Sequence, residues 1–74
     1  MNQAILLNDD LTYLAPNTWQ CTGMLSGEKI TIVIKSNVTP ETFDQSIKFD
    51  WEIAIEDWLE EHEPDENNQL NLSL

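Results

Sequence analysis

The sequence predicts an α+β domain in which an antiparallel sheet of three to four strands packs against one long helix or two short helices from the C-terminal half. Three observations predict this class: a β-hairpin pattern in the first half, a capped helical stripe in the second, and an apolar content of 41% that includes three Trp. A chain of 74 residues has room for one small core. We therefore assign residues 1–74 to a single domain with the order strand, strand, strand, helix, strand.

The first half of the chain predicts strands. Residues 3–7 form a short apolar run that ends at the turn-forming cluster Asn8-Asp9-Asp10, and Pro16-Asn17 marks a second break. Residues 19–25 and 28–35 then flank Ser26-Gly27, which fits a two-residue hairpin loop.

The hairpin pattern also predicts which residues pair across the two strands. A two-residue loop at Ser26-Gly27 brings apolar and small residues together across the strands, in the pairs Trp19–Ile34, Cys21–Ile32 and Gly23–Ile30. The opposite face then carries polar side chains, namely Gln20, Thr22, Thr31 and Lys35. One face is therefore expected to join the core while the other meets water.

The second half predicts a helix over residues 40–62. Thr39 can cap free backbone N–H groups, Pro40 fits the first helical position, and Glu41 favours the positive end of the helix dipole. Apolar and aromatic residues then recur at three- and four-residue spacing in one stripe: Phe43, Ile47, Trp51, Ala54, Ile55, Trp58 and His62. Pro64 and Asn67-Asn68 end the pattern.

A competing interpretation exists for residues 47–55, where apolar and polar residues also alternate as in a strand. We prefer the helix because the stripe continues to Trp58 and because Ala, Glu and Leu dominate from Ala54 onward. The tail over residues 69–74 alternates Leu with polar residues and predicts a final strand.

The chain resembles small proteobacterial proteins of the YrdB type, a family of unknown function. The resemblance is carried by Met1-Asn2-Gln3-Ala4-Ile5, the hairpin from Gln20 to Lys35, Thr39-Pro40-Glu41 before the helix, and Asp65-Glu66 before a closing apolar strand. The chain departs from the family between Lys35 and Thr39, where relatives are longer, and it contains no Arg. The resemblance implies a compact sheet covered by a helix, and it implies no known reaction.

The charge of the chain restricts its partners. The net charge is −11, with fourteen Asp and Glu against three Lys, and eleven of the acids lie in residues 41–66. Three scattered Lys cannot form the basic patch that nucleic acid or an anionic membrane requires, so we expect neither partner. The single cysteine, the lack of a basic and apolar leader, and the short apolar runs predict a cytoplasmic protein outside the membrane.

Residue types that often carry chemistry have simpler explanations here. Cys21 lies on the apolar face of the hairpin, and this position predicts that it is a core residue. His62 lies near the C-terminal end of the predicted helix, where an imidazole interacts favourably with the helix dipole. Asp65-Glu66-Asn67 lacks the spacing and Gly of a calcium loop. We therefore assign no catalytic, cofactor-binding or metal residue, and we expect a protein that is not an enzyme.

The polar side of the predicted helix is the strongest functional feature. Seven acids lie away from the Trp51 and Trp58 stripe, with no basic residue after Lys48: Asp50, Glu52, Glu56, Asp57, Glu60, Glu61 and Glu63. Phe49 and Ile53 lie among these acids. Either the helix bends near Lys48 and buries both, which is the preferred interpretation, or they form an apolar patch ringed by negative charge, which is typical of a protein-binding site.

We expect an accessory or regulatory protein that binds a basic or amphipathic protein partner. The candidate binding residues are Phe49, Ile53, Glu52, Glu56, Asp57, Glu60 and Glu61. The alternative is an inhibitor that imitates nucleic acid, although the acids are spaced at roughly 3 Å along the axis against about 1.7 Å per charge in duplex DNA. A second copy of the chain is a further candidate partner, through exposed apolar residues.

Overall fold

The computed structural model describes residues 5–74 and contains five strands and one helix. Its elements are β1 (Ile5–Leu7), β2 (Thr12–Leu14), β3 (Thr18–Leu25), β4 (Glu28–Lys35), α1 (Gln45–Glu61) and β5 (Gln69–Ser73). The α+β class is confirmed, with one continuous helix in the C-terminal half. Residues 3 and 4 of the predicted first strand lie outside the described residues.

The β3–β4 hairpin is the centre of the sheet, and its predicted register is confirmed in all three pairs, Trp19–Ile34, Cys21–Ile32 and Gly23–Ile30. Ser26 and Gly27 have φ angles of 53° and 83°. Positive φ at both loop positions is the condition for a type I′ turn, whose twist matches that of the flanking strands.

Both short N-terminal strands pair with the same edge of β3. β1 lies antiparallel to Gly23–Leu25 and β2 antiparallel to Thr18–Gln20, so the two lie end to end. Asp10 fixes the connection between them, because its carboxylate accepts bonds from the backbone N–H (2.9 Å) and hydroxyl (2.5 Å) of Thr22. These bonds hold the pKa of Asp10 below its usual value.

The prediction of an antiparallel sheet of three to four strands is wrong in two respects, because the sheet within residues 5–74 has five strands and is mixed. β5 runs parallel to β4, with Ile32 beside Leu70 and Ile34 beside Leu72. The chain leaves β4, crosses through α1 and returns to the same end of the sheet, which makes the next strand parallel. β2 was not predicted, since three residues are too few to establish an alternating pattern.

The helix also begins later than predicted, at Gln45 and not near Pro40. Asp44 is the N-cap, and its Oδ1 accepts the backbone N–H of Ile47 at 2.9 Å. The carbonyl of Thr39 instead accepts the N–H groups of Thr42 (3.0 Å) and Phe43 (2.9 Å). The chain therefore makes a tight turn over residues 39–43 before the helix.

The core lies between one face of the sheet and one side of α1. The sheet contributes the inward-pointing residues of β3, β4 and β5, and the helix contributes Trp51, Ile55 and Leu59. The Trp19 ring stacks on Phe43 (centroids 4.9 Å apart) and meets Trp51 edge-on at 5.6 Å. The inward orientation of Trp51 and Ile55 is confirmed, whereas Leu59 was missed and His62, predicted in the stripe, is exposed.

No helix within residues 5–74 is long and apolar enough to cross a membrane.

Candidate protein-binding face of the helix

Phe49 and Ile53 lie on the solvent side of α1, where they are 61% and 41% exposed. The helix runs without interruption from Gln45 to Glu61, so no bend near Lys48 turns them inward. Our preferred interpretation, in which a bend buries both residues, is therefore wrong. The structure has the other arrangement, an exposed apolar pair on a helix.

Acidic side chains adjoin this pair on its C-terminal side and along one flank of the helix. At 100° per residue, Glu56 and Glu60 continue the line of Phe49 and Ile53 along the helix. We call the exposed outward surface of α1 the acidic helix face, and its members are Phe49, Asp50, Ile53, Glu56, Asp57, Glu60 and Glu61. The two apolar residues are thus adjoined, toward the C-terminal end and along one flank of the helix, by five exposed carboxylates.

Glu52, the remaining candidate, lies on the flank of α1 and is half-buried. It is one turn from Lys48, whose ammonium group bonds the carboxylate of Asp9 at 3.0 Å. The bond to Asp9 and the nearby Glu52 raise the pKa of Lys48. The cation of the helix is therefore held at the flank and does not neutralise the acidic helix face.

The C-terminal end of α1 is electrostatically unfavourable by itself. Glu60 and Glu61 occupy its last turn, where the helix dipole is negative and where no basic side chain is present. His62 follows as the C-cap, with its Nδ1 at 3.1 Å from the carbonyl oxygen of Trp58 and its ring stacked on Trp58 at 4.9 Å.

The other two lysines lie on the far side of the molecule. The inward residues of β4 are Ile30, Ile32 and Ile34, so the alternation of the strand places Lys29 and Lys35 on the open face of the sheet. Both are exposed. The molecule is therefore polarised, with negative charge concentrated on the helix side.

Cys21 is buried in the core, as predicted. Burial, followed by the negative charges of Asp10 and Glu52, raises the pKa of its thiol to about 11. The thiol is therefore protonated at neutral pH and is a weak nucleophile. Within residues 5–74, no three His, Cys, Asp or Glu side chains are close enough to share a metal ion.

A small cavity lies beside the acidic helix face, between α1 and the connection from β1 to β2. Its volume is about 30 Å³, and it opens partly to the surface. Its wall is mainly apolar and is formed by Leu7, Leu11, Cys21, Ile34, Trp51 and Ile55, and its rim by Asn8, Asp9, Lys48 and Glu52. No local sequence pattern predicts this cavity, because its walls come from four separate elements.

Searches with protein-family models, among curated proteins and among solved structures found no match to this chain. The resemblance to the YrdB type therefore stays a prediction.

Proposed function

We propose that this protein is a non-enzymatic accessory or regulatory protein that binds a basic, amphipathic protein segment on the acidic helix face. The observation that carries the proposal is the position of Phe49 and Ile53, exposed among five carboxylates without a neutralising cation. Exposed apolar side chains beside a polar, solvated border are typical of a protein-binding site.

The charge arrangement supports the proposal because it costs the free protein stability. Glu52–Glu56, Glu56–Glu60 and Asp57–Glu61 are like-charged pairs one turn apart, and each such pair destabilises a helix by a few tenths of a kcal/mol. A partner with Lys or Arg at matching positions would turn this repulsion into attraction, and it would cover the two exposed apolar side chains.

The dimensions of the face indicate the kind of partner. Seventeen helical residues extend over about 25 Å, which matches a partner helix or extended segment of similar length. Because the face offers only two exposed apolar side chains and its border is solvated, we expect binding on the order of micromolar dissociation constants with strong salt dependence. A reversible, regulated interaction suits such an interface.

A fluorescent helix-forming peptide, with Leu along one stripe and Lys on both sides of it, tests the proposal by anisotropy. We expect saturable binding, and we expect a scrambled peptide of the same composition to bind at least about tenfold more weakly because it lacks an apolar stripe. Binding should weaken steeply when the ionic strength approaches about 1 M, where the Debye length is about 3 Å.

Charge variants of the protein provide the matched control. Replacing Glu56, Asp57 and Glu60 by Lys should abolish binding. Replacing Glu41, Glu63 and Glu66 by Lys changes the net charge by the same amount at exposed positions outside the face, and this variant should retain most of the affinity. Equal affinities for the two variants would show that net charge alone attracts the peptide, and the proposal would be wrong.

Nucleic-acid mimicry is the alternative function. Its support is the row of carboxylates on one side of a helix, but Phe49 and Ile53 at the N-terminal end of that row have no counterpart in a phosphate backbone. A mimic would be displaced from its protein partner by duplex DNA as well as by salt. Displacement by salt alone favours the first function.

A further inference from the structure

The cavity beside Cys21 has the composition of a receptor for one side chain. Its wall is apolar, and its volume of about 30 Å³ is sufficient for one or two water molecules or for the end of an aliphatic side chain. An apolar cavity of this size binds water poorly, since the wall offers few hydrogen-bond partners. Filling it with a methyl-bearing group would restore the dispersion contacts that its wall lacks.

The charged groups at the rim of the cavity determine which charge is favourable next to the side chain that enters it. Asp9 and Glu52 contribute two carboxylates, and Lys48 contributes one ammonium group that already bonds Asp9. Two carboxylates against one ammonium group give the rim a formal net charge of −1. A cation beside the entering aliphatic group would be attracted to Glu52.

The rim of the cavity lies next to the acidic helix face on α1. Glu52 and Lys48 form its rim on the helix, and Glu52 lies between Lys48 and Glu56 on the helical surface. A segment lying along α1 can therefore contact Phe49 and Ile53 while one of its side chains reaches the cavity.

We propose that the cavity is an anchor site that receives one aliphatic side chain of the basic partner segment, with an adjacent Lys or Arg on Glu52. The anchor rests on the proposed function for its partner. It defines the recognised sequence as an aliphatic residue next to a basic one. Affinity then depends on shape at the cavity as well as on charge along the helix.

Isobutylammonium is a suitable probe, because it combines a branched aliphatic end with a cation. Methyl NMR spectra of the protein titrated with this ion should show saturable shifts at Leu7, Leu11, Ile34 and Ile55. A dissociation constant on the order of millimolar is expected for so few atoms. Tetramethylammonium of the same charge is the control, since it lacks an extended aliphatic end and should cause only small, linear shifts.

Two variants test the assignment. Cys21→Val adds one methyl-sized group to the wall, suits a β-strand, and should weaken isobutylammonium binding by about tenfold or more while the thermal midpoint stays the same or rises. Glu52→Gln should weaken binding by about two- to fivefold without blocking the cavity. Unchanged affinity in Cys21→Val, or linear shifts in the unmodified protein, would overturn the proposal.

The two proposals fail separately. If the basic peptide perturbs Phe49 and Ile53 while no titration shifts the cavity methyl groups, the anchor site is wrong and the proposed function stands. If isobutylammonium saturates the cavity while the peptide fails to bind, the proposed function is wrong, and the cavity is not an anchor for that partner.

Discussion

Leu59 and Ile53 offer a matched pair of substitutions, because both are large aliphatic residues of α1 that point in different directions. Leu59 is 1% exposed and packs in the core, whereas Ile53 is 41% exposed on the acidic helix face. Leu59→Ala removes buried methyl groups and leaves a cavity, so it should lower the free energy of unfolding by about 3 kcal/mol, within the usual 2–5 kcal/mol. Ile53→Ala should cost less than about 1 kcal/mol, because Ala favours the helix and little buried surface is lost.

Urea denaturation followed by Trp fluorescence measures this difference. A chain of 74 residues is expected to have a total stability of about 4–11 kcal/mol. With a slope near 1 kcal/mol per molar urea for a small protein, Leu59→Ala should move the midpoint down by about 3 M. Ile53→Ala should move it by less than about 1 M. Similar losses in both variants would refute the orientation of the helix and with it the acidic helix face.

Three further predictions test the sheet, the helix cap and the charge pattern. Gly23→Ala should destabilise the protein by about 1–3 kcal/mol in the same assay, because its Cβ would lie 2.9 Å from the carbonyl oxygen of Leu6; an unchanged midpoint would contradict the β1–β3 pairing. The bond from the Ile47 N–H holds the pKa of Asp44 below its usual value. Its contribution to stability is therefore fully present above that usual value and is lost as the pH falls through the lowered pKa. Asp44→Asn keeps an oxygen acceptor and does not titrate. Calorimetry should therefore show the unmodified protein losing stability relative to this variant below about pH 4. Parallel curves of stability against pH for the two proteins would count against the cap. Glu56→Lys should raise the free energy of unfolding by about 0.5 kcal/mol at low salt and less at high salt, because it replaces repulsion by attraction along the helix; a loss of stability would argue against the like-charge repulsion.

Much of the fold follows from local patterns. The hairpin register could be predicted because Ser26-Gly27 fixes the loop length and the Ile residues of β4 fix the buried face. The helix could be distinguished from a strand over residues 47–55 because Trp58 extends the helical spacing beyond the alternation. Both predictions depend on neighbours in sequence.

The errors arise where the outcome depends on distant contacts. The direction of β5 is set by the crossover through α1, which no pattern within residues 69–74 contains. The helix starts later than predicted, because two segments of the chain could cap it. Asp44 accepts the N–H of Ile47, while Thr39 closes a separate turn. Both helix starts are compatible with the local sequence. In the structure, where the helix starts after Asp44, Phe43 packs against Trp19.

The candidate site was predicted in part. The acids could be placed on the outer side of the helix from their spacing, but the exposure of Phe49 and Ile53 could not, because two rules conflict. Large apolar residues usually lie inside a small domain, while the continuity of the helix forces these two outward. Phe49 and Ile53 stay exposed because the opposite side of the helix already fills the core with Trp51, Ile55 and Leu59.

An amide and methyl NMR titration of the protein with the basic amphipathic peptide tests recognition by the helix directly. We expect the largest shifts on the acidic helix face, centred on Phe49 and Ile53, and no shifts on the open sheet face around Lys29 and Lys35. Shifts concentrated on the sheet face, or spread evenly over every exposed carboxylate, would contradict recognition by the helix.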